Sequence, residues 1–160
     1  MNLVTGGAGF IGSHLVERLL AEGEAVRVLE RPGVAVDHLP LERIELVLAD
    51  IRDRGTVRAA LRGCQHVYHL AANPNLWVRD RKEFDAVNRQ GTVQVLEAAL
   101  EAGAARVLHT STESILASRS FAGGAAEHLR PRESDVGLRP RPLDESARDA
   151  VGWYRKVGWI

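Results

Sequence analysis

The sequence predicts an α/β fold built on a doubly wound parallel sheet in the order 3-2-1-4-5, and three features of its 160 residues lead there. Short apolar runs alternate with stretches that carry one apolar helical face, the pattern of strands joined by crossover helices. A glycine cluster, TGGAGFIG at residues 5–12, stands between the first strand and the first helix. Small and acidic residues recur just past the carboxyl end of each expected strand, where sheets of this kind bind ligands.

Residues 2–4 read as the first strand, and the helix after it sets Ile11, Leu15, Val16, Leu19 and Leu20 on one face. Between them the glycines read either as Gly6, Gly9 and Gly12, or as Gly7, Gly9 and Gly12 in the G-x-G-x-x-G frame. Both frames give one sharp turn whose bare backbone lets a pyrophosphate approach. The helix end behind it supplies N–H groups and partial positive charge. Alone the motif is a tight turn; a strand before and an amphipathic helix after are the context that points to a nucleotide.

The first helix is expected to end at Gly23, and residues 25–30 form the second strand. Glu30 follows Gly12 by 18 residues, close to where an acid takes the adenosine ribose of NAD. Arg31 beside it would instead attract the extra phosphate of NADP; NAD is preferred, and an ordinary surface charge pair is the alternative to both. Residues 31–42 hold two prolines and a glycine and read as loop. A third strand over 44–49 and a helix over 54–61 follow. Asp50, at the strand's tip, is placed to accept from an adenine amino group, or else belongs to helix capping near Asp53.

Residues 64–70 make the fourth strand, and Ala71 and Ala72 after it form a thin wall for a ribose, or with Asn73 and Pro74 a plain turn. Residues 82–102 read as one long helix with Phe84, Val87, Gly91, Val95 and Ala98 on its stripe. Asn88, counted among the cofactor-site residues, sits on that stripe and needs a polar partner, expected to be neighbouring backbone. Residues 106–109 form the fifth strand, and TSTES follows at 110–114.

Acids and bases balance at 21 each, which argues against a nucleic-acid partner. No apolar run approaches the roughly 20 residues of a membrane helix and no charged leader precedes the first strand, so a soluble, cytoplasmic chain is expected. Cys64 is the single cysteine, and His14, His38, His66, His69, His109 and His128 show no ligand spacing, so no metal is expected.

TGGAGFIGSHL, LADIRD, YHLAA, VNRQGT and RVLHTSTESI, in this order and spacing, resemble the extended short-chain dehydrogenase/reductases, the NAD-dependent epimerase/dehydratase family with its Rossmann-type sheet. NPNLW and QGTVQVLEAALEAG look most like the branch of hopanoid-associated sugar epimerases and dihydroflavonol reductase-like enzymes. The resemblance runs from residue 1 to about 116. It implies that Gly6, Gly9 and Gly12 form the pyrophosphate turn with the amides of Phe10 and Ile11, and that Asp50 and Ile51 hold the adenine. Leu70, Ala71 and Ala72 would line the cofactor ribose, and Thr112 would be the catalytic serine/threonine that hydrogen-bonds the reacting hydroxyl or carbonyl. It also implies NAD(P)-dependent hydride exchange at a sugar or related hydroxyl, often in a homodimer.

The family also uses a tyrosine with a lysine four residues later, one helical turn away on the same face. The lysine charge favours the tyrosinate, drawing a pKa near 10 towards working pH. This sequence has no such pair. Tyr154 and Lys156 in GWYRKVGW are the candidates, but stand two apart and point to different helical faces. If Trp153 takes the tyrosine's place there is no acid, and Gly158 stands where the lysine should be.

The expected organisation is a dinucleotide-binding domain over 1–117, an irregular Arg/Pro-rich segment over 118–150 and a terminal helix within 147–160 that exposes Trp153, Tyr154 and Trp159. The terminal helix is expected over 151–160 at least, and a substrate domain is expected to be absent. A truncated or frame-shifted chain is the expectation, with the fifth strand left as an unpaired edge prone to association. Three functional readings follow: an NAD(P)-binding domain of an epimerase, dehydratase or reductase with impaired turnover; a non-catalytic NAD(P)-binding or sensing module; or a fragment that does not fold.

Overall fold

Asn2, Leu3, Val4 and Thr5 are all buried, and this four-residue run is the central strand β1 (Asn2–Thr5). Around it stand β2 (Val26–Glu30), β3 (Glu45–Leu48), β4 (His66–His69) and β5 (Arg106–His109). They form one parallel sheet in the order β3-β2-β1-β4-β5, whose direction of winding reverses between β1 and β4. The computed structural model describes residues 1–75, 80–111 and 143–156.

Strand residues alternate between the two faces, so each face collects its own core. Leu3, Leu29 and Val67 pack with Val57, Ala60 and Leu61 of α2 (Arg54–Leu61) and with Val95, Ala98 and Ala99 of α4 (Thr92–Glu101), a helix preceded by the short α3 (Arg81–Phe84). Val4, Val26 and Val28 pack on the other side with Val16, Leu19 and Leu20 of α1 (Phe10–Ala21). Helices on both faces explain why β1 and β2 read as nearly continuous apolar runs. Full burial of each such Leu or Val contributes about 1.5–3 kcal/mol.

The helix ends are set locally. After α1, Gly23 takes φ 78°, and the amides of Gly23 and Glu24 return to the carbonyls of Leu20 and Leu19 at 3.2 and 3.0 Å. That pair of reversed bonds stops the helix and frees the chain to enter β2. At α2, Asp53 Oδ1 accepts from the amides of Gly55 and Thr56 at 3.0 and 3.3 Å, a side-chain cap on the helix start.

The stretch 82–102, expected as one long helix, is helical from Arg81 to Glu101 but not uniformly wound. α3 passes into a wide π turn over Asp85–Gly91, and α4 begins at Thr92. The apolar stripe continues through all three, so periodicity does not register the widening. Gly91 marks it: a Cβ there would lie 2.7 Å from Ile51 Cδ1, so only a glycine lets the turn rest against that side chain.

The chain falls into two compact units, Met1–Thr110 and Ser111–Ile160. In the second, α5 spans Leu143–Lys156, so the last part of the segment expected to be irregular is helical. Arg155 and Lys156 close its final turn, where positive charge suits the helix dipole. Trp153, expected on the surface, is buried at 7% exposure, while Trp159 lies outside the described residues. In the first unit, all four residues of β5 are exposed, and among the described residues its backbone pairs only with β4.

Candidate cofactor site

The strand register brings the carboxyl ends into line. Thr5 stands opposite Leu29 and His69, His69 opposite His109, and Glu30 opposite Leu48. The chains that leave these tips therefore start along one edge of the sheet, astride the point where the winding reverses, the place where sheets of this kind bind ligands.

The glycine turn divides into closed and open positions. Gly6 takes φ 71°, and a Cβ on it would meet the Ala71 amide nitrogen at 2.8 Å, so the turn lies directly against the loop after β4. A Cβ on Gly7 would strike Val28 Cγ1 at 2.6 Å, and one on Gly12 would lie 2.2 Å from the Gly6 carbonyl oxygen. Gly9 differs. Its φ is −72°, and the nearest atom to a Cβ there is the Gly6 carbonyl oxygen at 3.3 Å. Folding demands glycine at Gly6, Gly7 and Gly12; at Gly9 the missing side chain leaves room outside.

Gly9 is also the N-cap of α1, and no side chain caps it and no acid stands in the first turn. The helix end therefore presents its partial positive charge to whatever occupies the space beside Gly9. Ile11 stands 58% exposed on that first turn.

Two side chains hold the turn from the β2 side. Glu30, 8% exposed, accepts from the Ala8 amide at 3.0 Å through Oε2 and from its neighbour Arg31's amide at 3.0 Å through Oε1. His38 Nε2 reaches the Ala8 carbonyl at 3.1 Å, a contact that sequence reading missed because it spans a loop. Arg31 is itself exposed.

Asp50 is clamped by Arg52. Its Oδ1 accepts from the Arg52 amide and Nε, both at 2.9 Å, and Oδ2 from Nη2 at 2.6 Å. This fork holds the Asp50 carboxyl below its ordinary range, with the Arg31 charge adding to the effect. Helix capping belongs to Asp53, not Asp50. Ile51 turns into the core against Gly91 and is 5% exposed.

On the β4 side, the Leu70 amide donates to the Thr5 carbonyl at 3.1 Å and the Ala71 amide to Thr5 Oγ1 at 3.2 Å. The loop through Ala72 then meets Asn88. Asn88 Oδ1 accepts from the Asn73 amide at 2.7 Å, and Nδ2 donates to the Asn73 carbonyl at 3.1 Å. His69, fully buried, lies between Thr5 Oγ1 and Thr92 Oγ1 at 2.7 and 2.9 Å and stacks on His109 with ring centroids 5.1 Å apart. Nothing in the motifs singled out this histidine. The signal was its place: a polar residue ending a buried strand, level with Thr5 on the adjacent one.

Thr112 lies outside the described residues. Tyr154 and Lys156 are both on α5, two positions apart, about 200° around the helix axis. Lys156 is exposed. Among the described residues no group of three or more His, Cys, Asp or Glu side chains is arranged to hold a metal ion, and no helix is long and apolar enough to cross a membrane.

The sequence model of the NAD dependent epimerase/dehydratase family matches residues 2–140. The chain belongs to that family. It is 42% identical over 110 residues to sterol demethylase protein B of Methylococcus capsulatus, covering 69% of this chain and 34% of that protein. It is 36% identical over 142 residues to the decarboxylating sterol-4-alpha-carboxylate 3-dehydrogenase of Bos taurus, covering 88% of this chain and 36% of that one. A solved short-chain dehydrogenase/reductase superfamily protein from Agrobacterium tumefaciens, with bound NAD, superposes with a TM-score of 0.65 at 31% identity, over 72% of this chain and 34% of that one.

The chain thus spans between about a fifth and two fifths of the length of these curated relatives, with shares of 39%, 34% and 22% among them. Family and fold together assign the matched region to the Rossmann-type domain that binds a nicotinamide dinucleotide. The epimerase-type turn of this chain suits that group: three glycines whose places are closed by the protein, one that leaves space, and an uncapped helix end behind it.

Proposed function

We propose that this chain binds NAD in preference to NADP, across the crevice at the tips of β1, β2 and β4, as the cofactor half of an enzyme acting on a secondary hydroxyl of a sugar or related compound. When bound, the nicotinamide supplies hydride exchange at the substrate carbon. The chain's own part is to hold the diphosphate on the amides after Gly9 and the adenosine ribose beside Glu30, with Leu70, Ala71 and Ala72 along the remaining half. A carboxylate beside the ribose repels a 2′-phosphate, which supports NAD; Asp50, through the pair it makes with Arg52, borders the adenine.

The reading of weak turnover rests on α5. Tyr154 and Lys156 stand two positions apart and not four, so they do not form the pair that shares one helical face a turn apart. Thr112 would hydrogen-bond the substrate, but alone it supplies no proton acceptor. Binding without turnover is therefore the favoured behaviour of these 160 residues, and a cytoplasmic location is part of the same reading.

The observation that carries the proposal is that a Cβ at Gly9 would have one heavy atom near it, the Gly6 carbonyl oxygen at 3.3 Å, ahead of the uncapped α1. Calorimetric titration of the chain with NADH and NADPH tests it. NADH is expected to bind, NADPH more weakly, and Gly9→Leu to abolish both; a wild-type chain that takes up neither dinucleotide refutes the reading.

A further inference from the structure

Thr92, His69 and Thr5 form an unbroken polar chain across the buried end of β4, and its protons can be ordered from geometry alone. The Thr92 hydroxyl donates to the Asn88 carbonyl one turn back at 2.9 Å, so its oxygen must accept from His69 Nε2. A neutral ring with its proton on Nε2 is an acceptor at Nδ1, and the Thr5 hydroxyl therefore donates there. Thr5 Oγ1 is left to accept from the Ala71 amide at 3.2 Å. At the other end, the Asn88 side chain holds both backbone groups of Asn73. The loop 70–73 is thus pinned at Ala71 from β1 and at Asn73 from the π turn, with one imidazole joining the two pins.

The geometry points to His69 as a positioning residue of the cofactor site: its neutral ring couples Thr5 to Thr92 and so fixes the loop 70–73, the wall for the half of the dinucleotide remote from adenine. This presupposes the dinucleotide site proposed above. His69 touches no ligand in this role, because it is 0% exposed. A buried hydrogen-bonded chain with every member satisfied makes a loop rigid, and a rigid wall binds without first being ordered. The adenosine half leans on Gly9, Glu30 and Asp50 instead, across the reversal point from His69.

That division supplies the test. Thr92→Val removes the acceptor for His69 Nε2 and the donor to Asn88 while keeping the side chain's shape; Thr92→Ser restores the hydroxyl. Calorimetry on the full chain with NADH and with ADP is expected to show Thr92→Val weakening NADH about tenfold, ADP unchanged, and Thr92→Ser restoring NADH affinity. Equal loss for both ligands, or none for NADH, overturns the assignment.

Amide hydrogen exchange reads the coupling with no ligand present, and so separates it from the binding proposal. Thr92→Val is expected to speed exchange at Ala71 as well as Asn73, although Ala71 bonds only to the far end of the chain. Exchange at Ala71 that stays at the wild-type rate shows that His69 transmits nothing, whether or not the wild-type chain binds NADH.

Discussion

The Glu30 carboxylate accepts the Ala8 amide at 3.0 Å, so the acid at the tip of β2 is bonded to the glycine turn itself. One residue thereby serves both the shape of the turn and the charge beside it. Glu30→Ala should strip the acceptor from the Ala8 and Arg31 amides and destabilise the chain by about 1–3 kcal/mol. It should also narrow the preference for NADH over NADPH, since the repelling charge has gone. Chemical denaturation and paired titrations measure the two effects; a preference left unchanged would remove Glu30 from the cofactor's recognition.

Gly9 and Gly12 should separate folding from binding. Gly12→Ala drives a methyl into the Gly6 carbonyl, 2.2 Å away, and should cost at least about 1–3 kcal/mol as overpacking. Gly9→Ala meets only a 3.3 Å contact, and should shift stability by no more than about 1 kcal/mol, through the poorer N-cap. Its effect should appear as lost NADH affinity. Thermal melts and titrations on both variants decide it, and a Gly9→Ala chain with unchanged affinity would move the diphosphate elsewhere.

His69 predicts a pH dependence of stability. Burial first, and then the His109 ring stacked on it, press its pKa from 6.5 down to about 4. An unfolded chain then binds a proton in the window where the folded one does not. The stabilisation from keeping this ring neutral is complete above pH 6.5 and is lost as pH falls towards 4, an effect of order 3 kcal/mol. Denaturation midpoints across that range should fall steeply in the wild type and more gently in His69→Gln. Equal slopes would mean that the ring is not held neutral. The Asp50 carboxyl, lowered by Arg52, withdraws its own contribution only as pH drops below the ordinary carboxylate range.

Asp53→Ala should lower the melting temperature by uncapping α2, with Asp53→Asn avoiding most of the loss. NADH affinity should not change, because the cap faces the helix start and not the glycine turn. A drop in affinity without a drop in melting temperature would contradict this separation.

Much of the sheet was legible because its signals are local. Apolar runs, Gly23 and the Asp53 to Leu61 stretch each announce themselves within a few residues, and the order of strands follows from the alternation of elements. The widening at Asp85–Gly91 was not legible, since the apolar stripe runs on through it and the side chain that lies against Gly91, Ile51, comes from a distant strand tip. The His38 contact with Ala8 and the linkage of Thr5, His69 and Thr92 were hidden for the same reason: each depends on which residues the fold sets side by side. Trp153 was placed on the surface from its neighbours in sequence, and its burial depends on packing that those neighbours do not encode.

The space left at Gly9 means that this site can decay silently. Selection or screening that scores yield, melting temperature or protease resistance will pass a small side chain at this position as nearly sound, because the fold loses little there. Only an assay that presents the dinucleotide would notice.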